Sequence, residues 1–165
     1  MGLTSAYTEA KLVGPWPIVG QPGDVHTTAQ NAIGAVAYDL FGNEYIYLQG
    51  VASTVAGFAV TFDEAGVTTA LAANAKGPVA WATGATVAAT FGWYARVGNL
   101  LALVAANTAD NSLLGRETTD GTIGDGRAAG DQIYGVMARA ATGGSAVLSS
   151  IQAYTRPFVD DIYGA

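Results

Sequence analysis

The sequence predicts an all-β fold, a β-barrel or β-sandwich of short antiparallel strands with an extended N-terminal arm, and three observations carry that expectation. Apolar residues recur with a period of two in β-branched and aromatic runs, most clearly at 44–49 and 91–97. The 22 glycines among 165 residues supply turn signals that cut the chain into strand-sized pieces. No alternation of strand and helix patterns appears that would build a parallel sheet.

The first 32 residues differ in character from the rest of the chain. Pro15, Pro17 and Pro22, interleaved with Gly14, Gly20 and Gly23, break both helix and ladder. Trp16, Ile18 and Val19 sit inside this stretch, so residues 1–32 read as an extended arm with an apolar anchor, suited to docking on a neighbouring subunit. Residues 33–165 read as one β-rich domain. Residues 33–40 are an apolar run, Phe41-Gly42-Asn43 a turn, and 44–49 a strand with Tyr45 and Tyr47 on one face and Ile46 and Leu48 on the other. Val36–Leu40 and Glu44–Gln49 are expected to pair as a hairpin with a short Gly-containing loop. Residues 57–63 come next as a strand with Phe58, Val60 and Phe62 aligned, closed by a turn at 63–66.

Residues 67–76 are ambiguous, since their alanines favour helix while Val67, Thr68 and Thr69 favour strand. Short extended pieces are expected at 78–83 and 86–89. Residues 91–97 form the clearest central strand, with Phe91, Trp93, Ala95 and Val97 facing one way. Gly98-Asn99 then reads as a turn, 100–106 as an apolar run open to a helical alternative, and 115–131 as an irregular Gly/Asp-rich surface loop or long hairpin. Strands at 133–140 and 146–154 complete the body.

Composition removes several function classes. At 12% charged and 50% apolar, the body has the wrong balance for disorder. Many of its apolar residues are Ala and Val, which bury little area each, so the core needs close packing or a subunit interface. The net charge of −6, with seven Lys and Arg scattered singly, argues against nucleic-acid binding. The absence of cysteine removes disulfide frameworks, thiolate metal sites and cysteine nucleophiles. The apolar stretches are far shorter than the ~20 residues of a membrane-crossing helix. The opening residues lack the order of a signal peptide, so cytoplasmic synthesis is expected.

Catalytic groups are sparse, and no enzyme, cofactor or metal site is expected. His26 is the one histidine, and no Gly-x-Ser-x-Gly elbow accompanies it, so a turn or interface role suits it better. Asp63/Glu64 and Asp160/Asp161 are adjacent pairs, which point to opposite faces of a strand and do not converge by themselves. Asp120, Asp125 and Asp131 lie in a glycine-rich loop without the spacing of a calcium-binding hand. Gly124-x-Gly126 neither follows a strand nor opens a helix, so it is not a dinucleotide loop.

Four segments together resemble a known family. They are Gly42-Asn43-Glu44-Tyr45-Ile46-Tyr47-Leu48-Gln49, Gly57-Phe58-Ala59-Val60-Thr61-Phe62-Asp63, Gly77-Pro78-Val79-Ala80-Trp81-Ala82 and Phe91-Gly92-Trp93-Tyr94-Ala95-Arg96-Val97-Gly98. This order is similar to that of the decoration, or cement, proteins of tailed-bacteriophage heads, in which a G-x-[AV]-V-x-x-D strand precedes a [YF]-G-W-V-x-x-x-G strand. The resemblance spans residues 33–140 and leaves out the arm and the 115–131 loop. Tyr94 and Arg96 fall where the family pattern is looser.

The resemblance implies a barrel-like body, often trimeric, on the outer capsid surface between capsomers. There it would clamp neighbouring major capsid proteins and stabilise the head. The expected partners are the major capsid protein and further copies of the chain, a trimer being favoured, and the expected location is the virion surface. The candidate interface residues are Trp16, Ile18 and Val19 of the arm and Tyr45, Tyr47 and Tyr94 of the strands. The alternative is a carbohydrate- or receptor-binding β-module, such as a head-fibre or adhesin-like domain. That reading needs Tyr45, Tyr47, Trp81, Trp93 and Tyr94 exposed as a stacking platform.

Overall fold

The computed structural model describes residues 11–126 and 131–159. These contain no helix. The strands are β1 (Val25–His26), β2 (Val36–Tyr38), β3 (Glu44–Gln49), β4 (Ala59–Phe62), β5 (Thr68–Ala70), β6 (Gly77–Ala82), β7 (Phe91–Val104), β8 (Leu113–Arg116), β9 (Ile123–Gly124), β10 (Gln132–Ala138) and β11 (Val147–Val159). The protein is therefore all-β, as its periodicity predicts. Its strands join one continuous sheet, antiparallel apart from a single parallel contact between β7 and β9.

The long strand β7 organises the rest. Its first half, Phe91–Val97, lies between β3 and β6, with β1 alongside. Its second half, from Gly98 to Val104, pairs instead with β11, in register from Ala153 to Val147. The change of partner falls at Gly98, where the sequence suggested a turn. The chain does not reverse there. Gly98 adopts a left-handed φ of 117°, and Asn43 Oδ1 accepts the Asn99 N–H at 2.9 Å. That side chain holds a bend inside one strand, so 100–106 runs on as strand through Val104 rather than as a helix.

The second half of β7 belongs to a circuit of pairings running β7–β11–β10–β8–β9 and back to β7. The 115–131 segment thus contributes to the sheet rather than lying wholly on the surface. β8 and β9 form its irregular hairpin, and Ile123 is fully buried. In the ambiguous 67–76 segment β-branching wins over alanine, since Thr68–Ala70 pairs with β4.

The alternation in β3 sorts its residues into two apolar groups. Tyr45 and Tyr47 join Trp81 and Trp93 in the main core, together with Leu100, Ile123, Ile133 and Ile151 from the second half of the molecule. Ile46 and Leu48 face the other way and pack with Val60, Ala80, Ala82 and Tyr94. Each large aromatic buries on the order of 150–250 Å², so four of them offset much of the shortfall of an Ala- and Val-rich core.

Candidate interaction surface

The arm, as far as residues 11–32 describe it, lies on its own domain. Leu12 enters the main core and Ile18 packs against it. Val13 bridges Tyr38 at the outer edge of β2, and β1 pairs with β7. The backbone carbonyl of Val19 accepts both the Trp93 Nε1–H at 3.1 Å and the Asn31 Nδ2–H at 2.9 Å. His26 Nδ1 and the Tyr47 hydroxyl share a hydrogen bond of 2.7 Å, and the Gln30 N–H donates to the same hydroxyl. The histidine therefore helps fasten the segment to the core.

The six candidate interface residues separate accordingly. Tyr45, Tyr47 and Tyr94 are buried and have no face to offer a partner. This corrects the expectation that they are interface residues, and the reason is that both faces of β3 and of the first half of β7 are covered. Tyr45 donates to Asp39 Oδ2 at 3.0 Å, and Tyr94 shares a hydrogen bond with Thr86 Oγ1 at 2.7 Å. Burial raises the Tyr94 pKa, against a smaller lowering by its hydrogen bonds to Thr86 and Thr68. Trp81 and Trp93 are buried as well, so the five aromatics of the sugar-stacking platform are in the core and that platform does not exist. Ile18 is half-buried, which leaves Trp16 and Val19 as exposed candidates.

Two residues of the Leu40–Asn43 turn stand out further. Leu40 is 79% and Phe41 86% exposed, and Trp16 is 65% exposed. Asp39 holds the loop that presents them: its Oδ1 accepts the N–H groups of Phe41 at 2.9 Å and Asn43 at 3.0 Å. Val13 bridges Tyr38 antiparallel, so the arm runs from this edge back along β2 towards Trp16. Val13, Tyr38, Leu40 and Phe41 are thus exposed apolar residues at one edge of the sheet, and Trp16 is exposed further along the arm. The signal was present in the sequence, because two large apolar side chains in a turn break the rule that turns are polar.

Beside this edge lies a charge cluster. Glu44 is nearly buried and accepts from Arg156 Nε and Nη2, both at 3.1 Å, and from the Tyr38 hydroxyl at 3.1 Å. Arg96 reaches the same carboxylate only at 3.7 Å and lies over the Phe62 ring, 5.5 Å from its centre. Its Nε is buried without a hydrogen-bond partner. Burial and then the Arg156 charge lower the Arg96 pKa, while Glu44 pulls it back up. The Arg156 pKa is raised by its hydrogen bonds to Glu44.

Three of the loop carboxylates have structural partners. Asp63 Oδ1 accepts the N–H groups of Ala65 and Val67 in its turn, and Asp125 accepts that of Ala109. Asp131 pairs with Arg116. Among the described residues no group of three His, Cys, Asp or Glu side chains is placed to hold a metal. Asp160 and Asp161 lie outside the described residues. Comparison of the chain with protein-family models, with curated proteins and with solved structures finds no match.

Proposed function

We propose that the chain is a structural virion protein that binds the outer surface of a tailed-phage capsid between capsomers and stabilises the head. The observation that carries this reading is the exposure of three large apolar side chains, Trp16, Leu40 and Phe41, on an all-β block. Large apolar side chains held out by a tight, hydrogen-bonded loop cost solubility unless something covers them. Trp and Phe are also the residue types that anchor protein interfaces. The motif order from β3 to the first half of β7 supports the same reading. In it the major capsid protein is the partner, and copies of the chain associate, a trimer being the simplest closed arrangement around a local threefold. Each contact can be weak, because many copies on one shell add through effective concentration. The role is mechanical, with no catalytic step, and the location is the outer surface of the virion.

The test combines solution mass with shell binding. Light scattering of the full chain is expected to give a trimer. The chain is also expected to co-sediment with expanded empty heads of the phage that encodes it. Replacing Trp16 and Phe41 together by Ser should weaken that co-sedimentation by about a hundredfold, as loss of two aromatic anchors does, while leaving the melting temperature in place. Unchanged head binding by the variant, or no binding by the parent, would overturn the reading.

A further inference from the structure

The arm leaves one stretch of itself uncovered. Leu12 is buried in the core and Ile18 packs against it, yet every residue between them, from Val13 to Pro17, is exposed. The stretch reads Val-Gly-Pro-Trp-Pro, and its Trp16 is 65% exposed. Anchored on both sides and stiffened by two prolines, it loses little freedom when the indole is covered.

A matching concavity lies on the same chain. Strands β3, β7, β6, β4 and β5 pair in succession until Gln49 bridges Val67, which brings β5 back to β3. At the β4–β5 turn this curl opens into a groove of about 680 Å³, with Ile33, Ile46, Leu48, Phe62 and Pro78 as its apolar lining. The wall at Ile33 is close-fitted, because its side chain fills the space that a Cβ on Gly66 would take. A concavity of this size and lining accepts a flat aromatic side chain, and aromatic anchors seated in such pockets dominate the energy of protein interfaces.

Charge agrees with that pairing. Lys11 carries the only charge between residues 11 and 23. The groove sets two carboxylates, Asp63 and Glu64, against one ammonium, that of Lys76. Five extended residues span up to about 17 Å, so Lys11 can reach the carboxylates while Trp16 occupies the groove. Within its own chain Trp16 is exposed and is not part of the groove lining, which makes a second copy the occupant. We propose that the Pro15-Trp16-Pro17 segment of one chain docks in the groove of the next, with Trp16 on the apolar lining and Lys11 facing Asp63 and Glu64. The two surfaces differ, so the contact is head-to-tail, the kind that closes as a ring, and a ring of three is the trimer. The inference rests on the self-association proposed above and assigns its contact, leaving Leu40 and Phe41 to meet the shell.

Sedimentation velocity of the full chain over a concentration series tests it. Trp16→Ser is expected to raise the midpoint concentration of trimer dissociation by at least about thirtyfold, as loss of an aromatic hot spot does. Thr69→Arg, which places a long cation among the groove residues, should do the same. Both positions are exposed, so the melting temperature should stay in place. Because the chain has no cysteine, disulfide trapping reads the direction of the contact. Pro15→Cys mixed with Thr69→Cys should give a disulfide-linked dimer of the two variants at least about tenfold faster than Pro15→Cys mixed with Val147→Cys, an exposed position at the start of β11. A monomeric parent overturns the inference, as does a trimer that either substitution leaves unmoved, or equal trapping rates in the two mixtures. Co-sedimentation with empty heads is scored apart. Head binding by the parent without the ring removes this inference and keeps the capsid reading, while a ring without head binding does the reverse.

Discussion

The Tyr94 hydroxyl shows how a single polar atom is tolerated in an apolar layer. It belongs to a chain of hydrogen bonds in which Thr54 Oγ1 lies 2.6 Å from Thr86 Oγ1, which lies 2.7 Å from the phenol. Burial disfavours the phenolate, so the folded-state pKa stands above the ordinary value of about 10. For an acid with a raised pKa the unfolded state loses its proton first as pH rises. Below pH ~10 both states hold the proton and no stability depends on it; above that pH stability falls until the folded pKa is passed. Tyr94→Phe is therefore expected to flatten part of the alkaline decline in urea-derived stability above pH ~10. At pH 7 it should cost about 1 kcal/mol through the lost hydrogen bond. An alkaline profile identical to that of the parent would contradict this assignment.

Among the elements, β7 decides the architecture. Its first half follows the alternation of Trp93 and Ala95, which enter the main core, while Tyr94 faces the outer layer. Its second half follows the apolar run from Leu100 to Val104, and the two halves serve different neighbours because Gly98 bends the strand without ending it. A left-handed φ of 117° excludes a β-branched residue, and a Cβ at this position would collide with the Asn43 side chain. Gly98→Val is expected to destabilise the protein by more than about 2 kcal/mol, combining backbone strain with the loss of the Asn43–Asn99 hydrogen bond. Asn43→Ala, which keeps the glycine, should cost only about 1 kcal/mol. Denaturant titration of the pair separates the two terms, and equal costs would mean that the bend depends on the cap and not on the backbone.

At the scale of the whole molecule, the N-terminal segment and the body fold together. Leu12 is in the core, the Val19 carbonyl caps the Trp93 indole, and β1 extends the sheet against β7. An arm added to a finished domain could be removed without harm, but this one covers part of the core. Deleting residues 1–32 is therefore expected to lower the melting temperature by well over about 5 °C and to expose Trp93 to fluorescence quenchers. A truncated chain with the parent's melting temperature would show that the segment is accessory. Point substitutions at Trp16 and Phe41 are for the same reason the better probes of assembly, since they alter exposed side chains and leave the anchor at Leu12 intact.

Much of this fold is legible in the chain itself. The period of two in Glu44–Gln49 assigns Tyr45 and Tyr47 to one layer and Ile46 and Leu48 to the other, and the structure keeps that division. The strand class, the turn at Asp63–Gly66 and the hairpin of β2 with β3 arise from local chemistry in the same way. Alternation states which side chains share a face but not whether the face meets solvent, a partner or another layer. The three tyrosines were thus readable as interface residues until packing on both faces buried them. The sequence by itself determined the all-β class and the facing of the strands, because both depend on the conformation of adjacent residues. Only the tertiary structure decided that Gly98 bends rather than turns, that Arg96 and Arg156 share Glu44, and that Tyr45, Tyr47 and Tyr94 are buried while Trp16 is left exposed. Each of those depends on groups brought together from distant parts of the chain, which no local pattern encodes.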